Sequence, residues 1–378
     1  PQAMRRAAAA YALGRKGDKE QWEAVRKRLD DADAQVRWQA AAALLAGHDR
    51  AAVPALIALL ADGPFDPAWR AEEALQRLAG DEAPKAALDD SAEGRAKCRD
   101  AWAAWWKEKG DGFDVSGYTE PDRPLGYTLG VEFNTGRVWE CDLDGSLRWE
   151  IKDLPGPMDA QVLPNGHVLI AEANSHRVTE RDLKGAVLWE KKIDGEPNGC
   201  RRTADGNTFV STPDSAAEFA ADGTTVYTIR IVNERIGASA VRKARNGHII
   251  YALRDKIREV ERPKLVKFEN IVVGGDDGLA LRVRGLRLPT KGGGYADIED
   301  LPGDHFLVAN IGSGRVLEVD AAGKGVWQTA VPGVCGVCRL PNGHTVVSAN
   351  HKVAELDANG ETVWEVTVEG YPRRVYRR

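Results

Sequence analysis

Leu163-Pro-Asn-Gly-His-Val-Leu-Ile-Ala171 decides the fold, because a tight turn runs straight into a short apolar, β-forming run. The phrase returns as Thr203-Ala-Asp-Gly-Asn207, Ala244-Arg-Asn-Gly-His248, Leu301-Pro-Gly-Asp-His305 and Leu340-Pro-Asn-Gly-His344. A turn-plus-strand unit recurring about every forty residues predicts the blades of a β-propeller. A second cadence follows each of these. Asp142…Gly145…Trp149, Asp182…Gly185…Trp189, Asp320…Gly323…Trp327 and Asp357…Gly360…Trp364 share one spacing, with Asp222-Gly223…Tyr227 as a degenerate copy. Glycine supplies the positive-φ turn position, aspartate caps it, and the aromatic lies on the next strand, where it can cover a neighbouring blade. Trp189 and Trp327 are therefore expected to be buried stability residues.

The propeller does not begin at residue 1. Residues 1–109 are rich in Ala, Leu, Arg and Glu, and Leu13-Gly14, Ala46-Gly47 and Ala79-Gly80 recur with each glycine where a helix should end. Val36-Arg37 and Trp69-Arg70 precede Ala-rich faces that let helices approach closely. The Asp33-Ala-Gln-Val-Arg37…Ala41…Leu44 pattern resembles a HEAT-like repeat, three copies of which make a short solenoid. Trp102, Trp105 and Trp106 form one helical face, expected to close the solenoid against the next module. Residues 110–126, rich in Gly, Pro and Asp, are expected to be a linker, separable between Gly110 and Pro124.

From residue 127 to 378 six blades are expected. Tyr127-Thr-Leu-Gly-Val-Glu-Phe-Asn134 matches a second strand whose first is missing, and Gly370-Tyr-Pro-Arg-Arg-Val-Tyr-Arg-Arg378 matches a first strand without a blade. The C-terminal strand is therefore expected to close the ring beside residues 127–133. The fourth blade carries an insertion, 262–294, with Gly274-Gly-Asp-Asp-Gly278 and Gly292-Gly-Gly294; an insertion on a rigid scaffold is a place where function is carried. The fold class is thus an α-solenoid followed by an all-β six-bladed propeller.

The Asp-x-x-Gly-x-x-x-Trp repeats resemble those of bacterial PQQ-like propellers, and Asn174-Ser-His-Arg-Val178 resembles an NHL-type repeat. The pairing of HEAT-like repeats with such a propeller resembles a class of bacterial, often exported, multidomain proteins, which implies architecture and no particular reaction. Six blades and no adjacent cysteines depart from the PQQ dehydrogenases, so PQQ is not expected.

Composition narrows the rest. The formal charge of -5 gives no global drive toward nucleic acid, and neither stacking aromatics nor a groove-reading helix accompanies the basic residues. No apolar stretch reaches the ~18 residues of a membrane span. Pro1-Gln-Ala-Met-Arg-Arg6 has no signal-peptide pattern, and a longer parent is expected because the chain opens inside a helical repeat. Five cysteines do not make a fully paired framework. Cys335-Gly-Val-Cys338 lacks a second pair at zinc spacing, and a regular strand would put the two thiols on opposite faces. His167, His248, His305 and His344 occupy one equivalent turn on four blades, too far apart to act together, and His176 and His351 are expected at the surface.

Blade-equivalent positions near the axis converge on one place. Aligned on the turn cadence, these are Met158/Asp159, Asn198/Gly199, Ser239/Ala240, Ala296/Asp297, Cys335/Gly336 and Arg373/Arg374. Asp159, Asn198, Ser239, Asp297 and Arg373 are the expected ligand-binding ring. Asp159, Asn198 and Asp297 are hard oxygen donors suited to Ca²⁺, a set resembling the axial metal site of six-bladed lactonases, whereas Arg373 favours an anionic ligand. Arg201, Arg202, Arg242, Lys243 and Arg339 are expected to add positive charge at one channel end. The resulting expectation is a non-enzymatic scaffold that binds a protein or a small polar or anionic ligand at the axial face or the solenoid groove. The alternative is a propeller enzyme with an axial active site: a metal-dependent hydrolase or lyase using Asp159, Asn198 and Asp297, or an arylsulfotransferase-like enzyme using channel Arg and His.

Overall fold

The computed structural model describes residues 3–16, 19–86, 88, 91–118, 125–203, 205–231, 241–244, 247–252, 256–260, 268–273, 283–287 and 294–378. They fall into two compact units, one running through Tyr127 with residues 163–167 and Arg378, the other comprising Thr128–Val162 and Val168–Arg377.

The first unit contains helices α1 (Ala3–Lys16), α2 (Lys19–Arg26), α3 (Ala34–Ala46), α4 (Ala52–Leu59), α5 (Phe65–Ala79) and α6 (Ala92–Lys109). The repeat signature explains their ends. Asp33 caps α3 by accepting from the Gln35 and Val36 amides, and Gly47 and Gly80 terminate α3 and α5 as expected. Gly14, by contrast, lies inside α1, which continues to Lys16. Ala40 to Leu45 are all buried, four alanines and two leucines on the helix that packs on both α1 and α4. Each buried leucine removes roughly 1.5–3 kcal/mol worth of apolar surface from water.

Within the first unit the tryptophan face is covered by residues that follow α6. Trp105 meets Phe113 edge-on at 5.0 Å, Trp102 packs on Trp105, and the Arg50 guanidinium lies 5.2 Å from the Trp106 ring. Arg50 also donates to the carbonyls of Gly110 and Phe113, and the His48 ring bonds the Val115 carbonyl. Residues 110–118 are therefore folded onto the helical unit and are not a free tether.

The second unit holds six sheets of at least four strands, the blades, antiparallel except for one added parallel strand. Their first strands are Pro372–Arg377, Pro157–Val162, Gly199–Arg202, Val241–Lys243, Tyr295–Leu301 and Val334–Arg339; consecutive ones are neighbours except that Val241–Lys243 meets the third blade through its second strand, Thr208–Ser211. Blade 1 is completed from the chain end: Leu129 pairs with Tyr376, Gly130 with Val375 and Val131 with Arg374. The described part of the insertion is strand, not loop. Val283–Arg287 is the fourth strand of blade 4, and Phe268–Val273 runs parallel to Thr225–Ile231 as a fifth strand of blade 3. Gly274 to Gly278, and Gly292 with Gly293, lie outside the described residues.

One buckle repeats between blades. Glu318 accepts from His305 of its own blade and from Arg339 of the next, whose guanidinium lies 4.8 Å from the Trp327 ring. Glu355, His344, Arg377 and Trp364 repeat it, and Glu180, Arg202 and Trp189 repeat it without the histidine. His305 and His344, and His248 with Glu259, are thus held on carboxylates of their own blades. Trp327 and Trp364 also donate to carbonyls of the following blade, those of Ala358 and Leu143. Trp189 and Trp327 are half-buried rather than buried, because one face of each ring is covered by arginine instead of a closed core.

Candidate axial binding site

The inner strands do not run straight past the axis. Pairing skips one residue in each of four blades: Met158 between Pro157 and Asp159, Ala296 between Tyr295 and Asp297, Cys335 between Val334 and Gly336, and Arg373 between Pro372 and Arg374. A bulge of this kind re-aims the extra residue. Met158, Cys335 and Arg373 all line a cavity of ≈ 640 Å³, joined by Asn198 at the equivalent place in blade 3. Phe133, Ile311 and Tyr371 add apolar surface, and Asn134, Asn174 and Asn350 add amides.

Local chemistry fixes the loops around this cavity. Gly156 and Gly333 have positive φ, and a Cβ on either would lie within 2.7 Å and 2.3 Å of the Asn174 and Asn350 side chains. Only glycine allows those amides to close over the loops. His176 and His351, exposed as expected, are not idle: their Nδ1 atoms bond the carbonyls of Gly195 and Glu369 at 2.9 and 3.0 Å. They pin the loops that lead into Asn198 and Arg373. The buried Glu132 carboxylate accepts from Trp139 Nε1 and the Gly370 amide, holding the second loop from below.

The next tier of the axis is filled by side chains. Asp297 accepts from Arg242 at 2.6 Å, Arg374 at 2.8 Å and the Val337 amide at 3.1 Å. Asp159 accepts from the Tyr376 hydroxyl at 2.6 Å and the Cys200 amide at 3.0 Å. Burial pushes the Asp159 carboxyl up, but Arg201, Arg242, Arg374 and the Tyr376 hydroxyl outweigh it and hold the group below the usual carboxylate range. Arg201 stacks 4.1 Å from the Tyr376 ring centre, and Arg242 5.3 Å from it. A smaller cavity of ≈ 200 Å³ borders Asp159, Arg201, Arg242, Glu299 and Tyr376.

The ring read from the sequence therefore splits in two. Asn198 and Arg373 line the large cavity, Asp159 and Asp297 belong to the plug, and Ser239 lies outside the described residues. The Ca²⁺ reading does not fit: both carboxylates are engaged by arginine, tyrosine or amide donors, and the Asn198 oxygen accepts from Ser211 at 2.8 Å. Among the described residues, no group of three His, Cys, Asp or Glu is arranged to hold a metal ion. Arg202, Lys243 and Arg339, expected to charge the channel, are spent in inter-blade pairs with Glu180, Glu218 and Glu318. Cys335 and Cys338 are both free; the bulge at Cys335 breaks the alternation assumed for them. Tyr371, Phe133 and Glu196 were not anticipated, since at their repeat positions the other blades carry different residues, such as Gly156, Gly333 and Ala173.

The axis also has an internal two-fold pattern. Asp159 and Gln161 accept from the Cys200 and Arg202 amides of the next blade, and Asp297 and Glu299 accept from those of Val337 and Arg339. Gly199 and Gly336 follow each pair, and a Cβ there would meet Ser211 and Ser348 respectively. Blades 2 and 3 are thus echoed by blades 5 and 6.

The fold and its axial cavity define a solenoid-plus-propeller protein. Residues 1–76 match the family of HEAT repeats. No curated protein matches the chain. Among solved structures, a Bacteroides caccae protein of unknown function is 16% identical and covers 67% of this chain and 98% of its own, with a TM-score of 0.52. Virginiamycin B lyase from Staphylococcus aureus is 13% identical, covering 64% of this chain and 81% of its own at a TM-score of 0.46. Kluyveromyces lactis Hsv2 is 11% identical, covering 59% and 69%, at 0.39. At such identities the likeness extends to the propeller fold alone. No helix among the described residues is long and apolar enough to cross a membrane.

Proposed function

We propose that the propeller is a binding module whose axial cavity takes a small organic molecule bearing a carboxylate or similar anionic group. One observation carries this reading. The other basic residues of the inner strands are matched to acids: Arg202 to Glu180, Arg242 and Arg374 to Asp297, Lys243 to Glu218, Arg339 to Glu318 and Arg377 to Glu355. Arg201 makes no close ion pair, but it faces the Asp159 carboxylate and is stacked on Tyr376 in the plug. Arg373 makes no ion pair among the described residues and borders the large cavity beside Cys335, whose thiol donates to the Gly333 carbonyl. A half-buried guanidinium offers five N–H donors in a planar fork that suits a carboxylate. The cavity volume falls in the range of small-molecule sites, and its apolar wall with scattered amides matches their usual make-up.

Calorimetric titration with a panel of monocarboxylates tests the reading. Binding that disappears in Arg373→Gln, with folding unchanged by circular dichroism, is the expected result. Equal affinity in wild type and variant overturns it.

A further inference from the structure

Resting on that reading, we propose that the ligand is an aryl carboxylate whose ring packs on Tyr371 while its acid group meets Arg373. Tyr371 is 44% exposed, the one aromatic residue among the large exposed apolar side chains of the described residues. It is nevertheless held in place. Its ring lies 4.3 Å from that of His351, and His351 is fixed in turn by the Glu369 carbonyl. A phenol ring exposed to water but braced by a tilted contact with His351 makes a platform, since an offset or tilted aromatic partner gains contact without having to order the residue first.

Tyr371 and Arg373 both border the large cavity and stand two residues apart on the lead into one inner strand. Phe133, Met158 and Ile311 supply apolar surface for the rest of a ring. The two-fold pattern of the axis sharpens the point. Elements that recur in both halves, such as Asp159 with Asp297 or Gly199 with Gly336, are explained by holding blades together. In sequence, the positions matching Tyr371 and Arg373 in the other half are Gly237 and Ser239, so platform and cation occur once. Features outside the repeat are those that packing does not require.

The test is calorimetric titration of the full chain with benzoate, cyclohexanecarboxylate and benzamide. Benzoate and cyclohexanecarboxylate share charge and carbon count, and the saturated ring is the more apolar, so burial alone favours cyclohexanecarboxylate. Benzoate is expected to bind about 2- to 10-fold more tightly, the span an aromatic contact supplies. Tyr371→Ala should remove that preference without weakening cyclohexanecarboxylate, and Tyr371→Phe should keep it. Equal binding of the two acids by wild type, or equal loss of both in Tyr371→Ala, overturns the aryl platform while leaving the carboxylate site standing. Failure of both acids to bind, or benzamide binding as well as benzoate, overturns the carboxylate site itself.

Discussion

Arg374 passes Gly336 to set its guanidinium 2.8 Å from the Asp297 carboxylate, so the first blade reaches the fifth across the sixth. The absent side chain makes room: a Cβ on Gly336 would lie 2.7 Å from Ser348 Oγ and 3.1 Å from the Arg374 Cα. Gly336→Ala is expected to cost ~1–3 kcal/mol through overpacking, read from urea midpoints. A change under about 0.5 kcal/mol would show that the inner strands can shift to accommodate it.

Removing residues 371–378 should lower the melting temperature sharply and promote association. It deletes the strand paired with Thr128–Glu132 and the Tyr376 and Arg374 contacts to Asp159 and Asp297, leaving an open edge. Size-exclusion chromatography beside a thermal melt checks this; a monomer with unchanged melting would contradict the six-blade assignment.

Asp142 should make folding pH-dependent in an unusual direction. Burial, then hydrogen bonding and repulsion from Asp144, raises its carboxyl from 3.8 to about 6, whereas the equivalent Asp320 and Asp357 are held low by backbone amides. Because the folded value lies above the unfolded one, the group's contribution is full below pH 3.8 and is lost as pH rises through about 6. Asp142→Asn should therefore gain on wild type between pH 4 and 6 and hold that gain above it, measured as urea midpoints across the range. A constant difference between the two proteins would mean that Asp142 is not raised.

Arg50→Ala should expose residues 110–117 to protease. The guanidinium binds two carbonyls there and covers Trp106, so its loss frees the segment while the buried Trp102 and Trp105 remain packed. New cleavage at Phe113 in limited chymotryptic digestion is expected; an unchanged pattern would assign the anchoring to His48 and Phe113 instead.

Much of this was legible in the chain. The turn cadence located five inner strands, and the match between residues 127–134 and 370–378 located the sixth and the join. What escaped was the consequence of single-residue bulges. Met158, Cys335 and Arg373 share no chemistry, so nothing in their side chains marks them as equivalent, and alternation alone misassigns their neighbours. A faint signal existed in Gly156-Pro-Met158, Gly294-Tyr-Ala296 and Gly333-Val-Cys335, where glycine stands two residues ahead. The arginines around Asp297 were not legible either, because residue type reveals a carboxylate but not the cation already bound to it. Tyr371 escaped because a residue that occurs once is invisible to a search for repetition.

The strand Pro372–Arg377 lies beside Thr128–Glu132, separated from it by nearly the whole propeller sequence. During synthesis at about 5–20 residues per second, the opening blade must wait on the order of tens of seconds for its innermost member. The ribosome delivers that member only after every other blade strand. Through that interval Leu129 and Val131 stand on an unpaired margin, which makes the nascent chain a natural client for a holding chaperone and makes early termination worse than a short product, since every prematurely ended chain carries a sticky flank.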